Sequence, residues 1–169
     1  RLETDTDPVD VLVNNAGFSV RSGLLEEDLS QHDLGFEVMI RAVLKLGGAA
    51  GRGMGRRGRG WIINVGSVSA LVTQNNYSAI KAWVAAYTES LAVELDKTGV
   101  HVMLLAPGWV RTEFHDRAEV NASAIPGALW LDADDLVAEA LADAAKGKVV
   151  CIPSRRYKVL ITLLRHLPR

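Results

Sequence analysis

Cysteine is almost absent from this chain. The one thiol, Cys151, can form no internal disulfide, so a reducing cytoplasm is the expected setting. It lies in the apolar run Val149-Val150-Cys151-Ile152, where it reads as a small buried hydrophobe rather than a catalytic thiol. Long hydrophobic runs are lacking too. None approaches the roughly 18 residues of a membrane span, and no signal peptide is visible. Neither sign of charge is in excess: a net charge of −1 over 169 residues argues against a protein held to nucleic acid through phosphates. His32, His101, His115 and His166 show no close ligand spacing, so no metal site is expected. An initiator methionine is also missing. The chain opens Arg1-Leu2-Glu3, as expected of a segment that starts in mid-protein.

What is present suits one globular domain. Hydrophobic residues make up 49% and charged residues 23%, enough apolar surface for a real core. Four short apolar runs read as strands: Val9–Val13, Trp61–Val65, Val100–Leu105 and Lys148–Ile152. Three are continuous rather than alternating, the pattern of strands buried on both faces of a parallel sheet. Between them the sequence predicts helices over Leu29–Ala50, with Ser30 as N-cap, and over Asn76–Lys97, stopped at Gly99. A third helix is predicted over Asp132–Lys146, with Asp132 and Asp135 resembling a capping box and Gly147 ending it. Strands alternating with helices imply an α/β fold, a doubly wound parallel sheet.

Two segments invite sharper readings. Gly51–Gly60 contains Gly53-x-Gly55-x-x-Gly58, a formal match to a dinucleotide fingerprint. The fingerprint must follow a strand and open a helix, and this one does the reverse, so a solvated loop is expected. The last segment, Ser154–Arg169, carries Arg155, Arg156, Lys158, Arg165 and Arg169 and no acidic residue. Val159, Leu160, Leu163, Leu164 and Leu167 would share one helical face. Such a helix packs on its own domain or a partner subunit, or lies peripherally on an anionic membrane surface.

The chemistry concentrates at Tyr77, Lys81 and Ser67. Tyr and Lys four apart on a helix share a face, roughly 5–6 Å apart at Cβ. A tyrosine of ordinary pKa about 10 is a poor proton-transfer group at pH 7, and a nearby ammonium favours the phenolate. Ser67, just after the run Trp61–Val65, could hydrogen-bond a substrate carbonyl and hold it against the phenol. The three together suggest proton transfer to or from a carbonyl or alcohol oxygen. Gly66-Ser67-Val68-Ser69-Ala70 lacks the second glycine of a nucleophile elbow, which disfavours an α/β-hydrolase.

With Asn14-Asn15-Ala16-Gly17 after the first strand, Ser67 after the second, Tyr77-x-x-x-Lys81 on the next helix and Pro107-Gly108-Trp109-Val110-Arg111-Thr112 after the third strand, the chain resembles the classical short-chain dehydrogenase/reductase family. The resemblance covers Val9 to about Thr112. It implies a Rossmann-like sheet and NADP or NAD as cofactor. It implies that Tyr77 is the general acid or base, that Lys81 lowers its pKa and binds the nicotinamide ribose, and that Ser67 orients the substrate oxygen. It places Asn15, Ala16 and Gly17 along the adenosine side of the cofactor, with Asn14 tying strand ends together. Pro107, Gly108, Val110 and Thr112 would meet its nicotinamide end. It further implies a small-molecule substrate and a homodimer or homotetramer formed through the two long helices.

Three departures stand out. The family's N-terminal glycine-rich turn and the strands around it are missing, so residues 1–153 read as the C-terminal two-thirds of the domain, followed by the 154–169 helix. Met39 stands where the family often has a catalytic Asn. Ser67 and Tyr77 are ten apart rather than about thirteen. The expected function is a nicotinamide-dependent interconversion of a carbonyl and a secondary alcohol. Apolar residues such as Ile125, Leu129 and Trp130 suggest a lipid-, acyl- or steroid-like substrate, and His115 could contact it. The rival expectation is a catalytically silent Rossmann-like binding protein.

Overall fold

Parallel pairing organises the molecule, whose computed structural model describes residues 8–112 and 125–166. The main sheet has the order β1-β2-β3-β6, with every neighbour parallel. Its strands are β1 (Val11–Asn14), β2 (Gly60–Val65), β3 (Val100–Leu105) and β6 (Val150–Cys151). A second small sheet pairs β4 (Trp109–Val110) with β5 (Trp130–Leu131). Helices α1 (Ser30–Phe36) and α2 (Ala42–Arg57) are joined by a π-helical stretch, Glu37–Arg41. They are followed by α3 (Asn76–Glu94), α4 (Ala133–Ala144) and α5 (Arg155–His166).

Both faces of the sheet are covered, as the α/β reading requires. On one face Ile62, Val100 and Val102 pack against Ala50 and Met54 of α2 and Leu91 of α3. On the other, Ile63, Met103, Leu105 and Cys151 pack against Leu136, Ala140 and Ala144 of α4. Ile62, Met54 and Cys151 are fully buried, each large apolar side chain contributing about 1.5–3 kcal/mol over its exposed state. The prediction that strands are buried on both faces holds for β2 and β3 but not for β1. That strand forms the sheet edge, and its Val11 and Val13 are 54% and 52% exposed.

Other expectations need correction. The first strand shifts from Val9–Val13 to Val11–Asn14, and the last contracts from Lys148–Ile152 to Val150–Cys151. Ser30 is not the N-cap of the first helix. Leu29 occupies that position, and the Asp28 carboxylate accepts the Ser30 N–H at 2.9 Å. The Gly51–Gly60 stretch is not a loop. It continues α2 as far as Arg57, and Gly58 (φ 72°) ends the helix while the Arg59 N–H reaches the Met54 carbonyl. Two glycines of α2 are packing residues: a Cβ on Gly47 would lie 2.5 Å from Tyr87 Oη, and one on Gly51 would lie 3.2 Å from Leu95 Cδ1. Helix propensity alone argues against so many glycines, and tertiary contact with α3 overrides it.

Helix α5 packs on the domain, but not through the face the sequence suggested. Tyr157 and Ile161 are buried, while Val159, Leu160 and Leu163 are exposed. Leu167 lies outside the described residues. Among the described residues no helix is long and apolar enough to cross a membrane. The predicted cap of α4 is present, with Asp132 accepting the N–H groups of Asp134 and Asp135 at 2.9 and 3.2 Å.

Candidate active site

The carboxyl ends of parallel strands are where an open α/β sheet offers a site, because chain segments diverge there into loops and helix starts. Asn15, Ala16 and Gly17 leave the end of β1 and are exposed. Asn14 does tie strand ends together. Its amide donates to Asn64 Oδ1 at 2.8 Å, Asn64 donates to Thr88 Oγ1 at 3.0 Å, and Thr88 donates to the Val84 carbonyl at 2.6 Å. Asn64 and Thr88 are fully buried, so this chain of bonds fixes β1, β2 and α3 against one another. Neither Asn64 nor Thr88 was singled out from the sequence. A polar residue inside the strand run Trp61–Val65 was the available signal.

Ser67 follows β2. Its Oγ accepts from the Ser69 N–H at 3.1 Å and from Ser69 Oγ at 2.9 Å, as N-cap of a short 3-10 turn over Val68–Leu71. Two accepted bonds leave the Ser67 proton to be donated, and its side chain is hydrogen-bonded to Tyr77. Tyr77 lies in the first turn of α3, which is capped by Asn75 Oδ1 accepting the Ser78 N–H at 3.0 Å. Lys81, one turn on, is buried; its Nζ donates to the Val65 carbonyl at 2.8 Å and lies 5.6 Å from the Tyr77 ring centroid. Ser67, Tyr77 and Lys81 are therefore assembled, as their order along the chain predicts.

The electrostatics differ from the simple expectation. Burial pushes the Tyr77 phenol up to about 12, and the Ser67 hydrogen bond only partly opposes this. Burial pulls Lys81 down to about 8. Lys81 Nζ lies 5.6 Å from the ring centroid, and burial still carries the phenol away from the phenolate. At neutral pH Tyr77 holds its proton, the state a general acid needs. Cys151 is pushed up to about 12, chiefly by burial, which makes it inert, as expected.

Met39 sits in the π-helical stretch with its side chain against the site. A Cβ on Gly17 would lie 3.3 Å from Met39 Sδ and 3.8 Å from Lys81 Nζ. Met39 packs with Val20 and Ile80 in an apolar cluster that Tyr77 borders. Just outside it, His32 is buried and bonded at both ring nitrogens. Its Nδ1 lies 2.8 Å from Asn76 Nδ2 and its Nε2 lies 3.1 Å from the Gly23 carbonyl. His101 is exposed and stacks on Trp61 at 4.2 Å. His115 lies outside the described residues. Among the described residues no cluster of His, Cys, Asp and Glu could hold a metal.

The loop after β3 reaches the same end of the sheet. The Val68 N–H donates to the Pro107 carbonyl at 3.0 Å, which ties this loop to the Ser67 segment. Pro107, Gly108 and Val110 are half-buried and Thr112 is exposed. Val110 pairs with Leu131 and packs toward Ile63 and Met103, so backbone groups are what it can offer a cofactor. The residues present suit the nicotinamide end of a dinucleotide. Lys81 has three N–H groups, one committed to Val65, and Gly17 beside it keeps the approach clear of a side chain. A glycine-rich turn between a strand and a helix, the usual pyrophosphate cradle, is not formed among the described residues. A separate cleft of about 270 Å³, bordered by Trp130, Asp135, Glu139 and Arg156, contains none of Ser67, Tyr77 or Lys81.

Residues 1–122 match the family model for short chain dehydrogenase. The chain is 37% identical over 116 residues to nodulation protein G of Azospirillum brasilense, covering 67% of this chain and 47% of that protein. It is 42% identical over 112 residues to a 3-oxoacyl-(acyl-carrier-protein) reductase of Vibrio cholerae, covering 62% of this chain and 44% of the relative. Among solved structures, a short-chain dehydrogenase from Sphingobium yanoikuyae in complex with NADPH superposes with a TM-score of 0.83 at 26% identity, covering 100% of this chain and 69% of that one. The chain thus spans about half the length of the curated relatives it matches.

Proposed function

This chain belongs to the short chain dehydrogenase family, and from that premise we propose that it carries the catalytic half of an NADP- or NAD-dependent oxidoreductase interconverting a ketone and a secondary alcohol. The observation that carries the reading is the contact of Ser67 and Lys81 with one phenol, Tyr77, at the carboxyl end of the sheet. The nicotinamide supplies or takes the hydride. In the reducing direction Ser67 holds the carbonyl oxygen and Tyr77 gives it a proton. Lys81, anchored on Val65, holds the nicotinamide ribose. Asn15, Ala16 and Gly17 line the adenosine side, and the backbone of Pro107–Thr112 meets the carboxamide.

An apolar substrate suits the residues around the loop after β3, where Trp109 and Trp130 lie 6.2 Å apart with Leu129 beside them. Exposed Leu34, Phe36 and Leu44 within Leu29–Ala50 and exposed Val93 within Asn76–Lys97 support self-association through these two long helical stretches. Light scattering during gel filtration tests the latter; a monomeric mass removes it.

The rival, a silent binding protein, draws on Met39, which carries no proton-transfer group. One experiment separates the two. The protein carrying this chain is titrated with NADPH and NADH while nicotinamide fluorescence and thermal stability are followed, and Tyr77→Phe is assayed for ketone reduction. Cofactor binding with turnover lost in Tyr77→Phe is expected. No response to either nucleotide sinks the enzyme reading.

A further inference from the structure

The first turn of α5 reaches the loop after β3 through one side chain, Tyr157. Its ring is 2% exposed although the helix presents Val159, Leu160 and Leu163 outward. The phenol is doubly bonded. It accepts the backbone N–H of Trp109 at 3.0 Å and donates to the carbonyl of Leu129 at 2.7 Å. The first group opens β4 and the second lies in the 3-10 turn Gly127–Leu129 just before β5, and in the small sheet Trp109 pairs with Trp130 and Val110 with Leu131. The hydroxyl thus joins two chain segments at the place where they begin to pair. Its neighbour Arg156 adds a bond to the Ala128 carbonyl at 2.7 Å.

Gly108 is shaped by the same ring. A Cβ there would lie 1.9 Å from Tyr157 Cζ and 2.1 Å from Cε1, so the ring occupies the space a side chain would need. The glycine between Pro107 and Trp109 is there because Tyr157 lies against its Cα. The Pro107 carbonyl accepts from Val68, one residue after Ser67, so the position of this loop is coupled to the catalytic serine. Helix α5 also packs on the 3-10 turn that follows Ser67.

We propose that Tyr157 is a positioning residue for the cofactor: its hydroxyl and ring set the height of the Gly108–Val110 backbone against the nicotinamide end of the site. The inference rests on the oxidoreductase reading above. It makes the C-terminal helix part of the cofactor's binding machinery through a residue that touches neither cofactor nor substrate. Removing the hydroxyl alone leaves the ring in place and takes away the bonds to the Trp109 N–H and the Leu129 carbonyl, which then shift toward other partners.

The test uses the protein carrying this chain, with Tyr157→Phe and, as a control on general loosening of α5, Lys158→Ala, whose side chain bonds Glu139 on the far side of the helix start. KM for NADPH and kcat are measured separately, together with NADPH affinity by fluorescence and the melting temperature. Tyr157→Phe is expected to raise KM and the dissociation constant for NADPH about tenfold with kcat within about twofold, from the loss of the two bonds its hydroxyl makes. Lys158→Ala is expected to lower the melting temperature without that change. Wild-type binding matched by Tyr157→Phe overturns this inference alone. So does an equal loss of affinity in Lys158→Ala, since the effect would then be general. Failure of the wild type to bind either nucleotide overturns both this inference and the oxidoreductase reading.

Discussion

Lys81 lies over the face of Tyr77, its Nζ 5.6 Å from the ring centroid, and spends a hydrogen bond on the Val65 carbonyl at 2.8 Å. A buried ammonium held by one neutral carbonyl is costly, and the depression of its pKa to about 8 measures that cost. Between pH 8 and the ordinary value of 10.5 the unfolded chain keeps the proton that the folded chain has lost. Stability therefore rises with pH across this window, is fully regained above 10.5, and is lost as pH falls through 8. Tyr77, raised from 10.0 to about 12, has the opposite sign: its contribution is present below 10 and lost as pH rises toward 12. Measurement between pH 7 and 10 isolates Lys81. Chemical denaturation should show the wild type gaining on the order of 2 kcal/mol over that range relative to Lys81→Met. Parallel pH profiles for the two proteins would refute the buried-ammonium account.

Ser69 should matter to catalysis without touching the reacting atoms. It supplies both bonds that Ser67 Oγ accepts and so leaves the Ser67 proton for Tyr77. Ser67→Ala should lower kcat by about 100-fold or more, the scale of losing one polarising donor. Ser69→Ala removes only the hydroxyl bond and should cost a few-fold, roughly 1 kcal/mol. Steady-state assay of both variants decides the matter. A larger loss in Ser69→Ala than in Ser67→Ala would exchange their roles.

The sheet, the three principal helices and the assembled trio were legible in the sequence because each leaves a local mark. Buried parallel strands are continuous apolar runs, Asp132 and Gly147 delimit α4, and Tyr77 and Lys81 share a helical face. What was not legible depends on partners far along the chain. Gly51–Gly60 reads as a loop by propensity, yet α2 needs small residues where Tyr87 and Leu95 press on it. Tyr157 looks like any aromatic of an amphipathic helix until the Trp109 N–H and the Leu129 carbonyl are found at its hydroxyl. The sign of the Tyr77 shift was also hidden, since burial outweighs the hydrogen bond from Ser67.

Met39 fills its site by volume and not by chemistry. It is 1% exposed, packed with Val20 and Ile80, and carries no proton-transfer group. Met39→Leu conserves volume and should cost less than about 1.5 kcal/mol while leaving kcat close to wild type. Met39→Asn buries an amide in the same apolar cluster and should cost about 1–3 kcal/mol. Urea denaturation gives both numbers. Equal stability for Met39→Asn and wild type would mean that polar partners already exist around the site.

The glycines of α2 make opposite predictions at two positions on one face. At Gly47 a methyl group would meet Tyr87 Oη at 2.5 Å, and the Tyr87 ring is stacked on Trp83 at 5.0 Å, so it cannot swing away without breaking that contact. Gly47→Ala should destabilise by about 1–3 kcal/mol, since overpacking outweighs the gain in helix propensity. At Gly55 the added methyl meets only Leu95 Cδ2, at 4.0 Å, an ordinary contact. Gly55→Ala should then stabilise by up to about 1 kcal/mol, the difference in propensity between the two residues in a helix interior. Melting temperatures of the two variants should move in opposite directions. A gain at Gly47 would mean that α2 and α3 are less closely packed than the 2.5 Å approach requires, and a loss at Gly55 would mean that this part of α2 is not held as helix in solution.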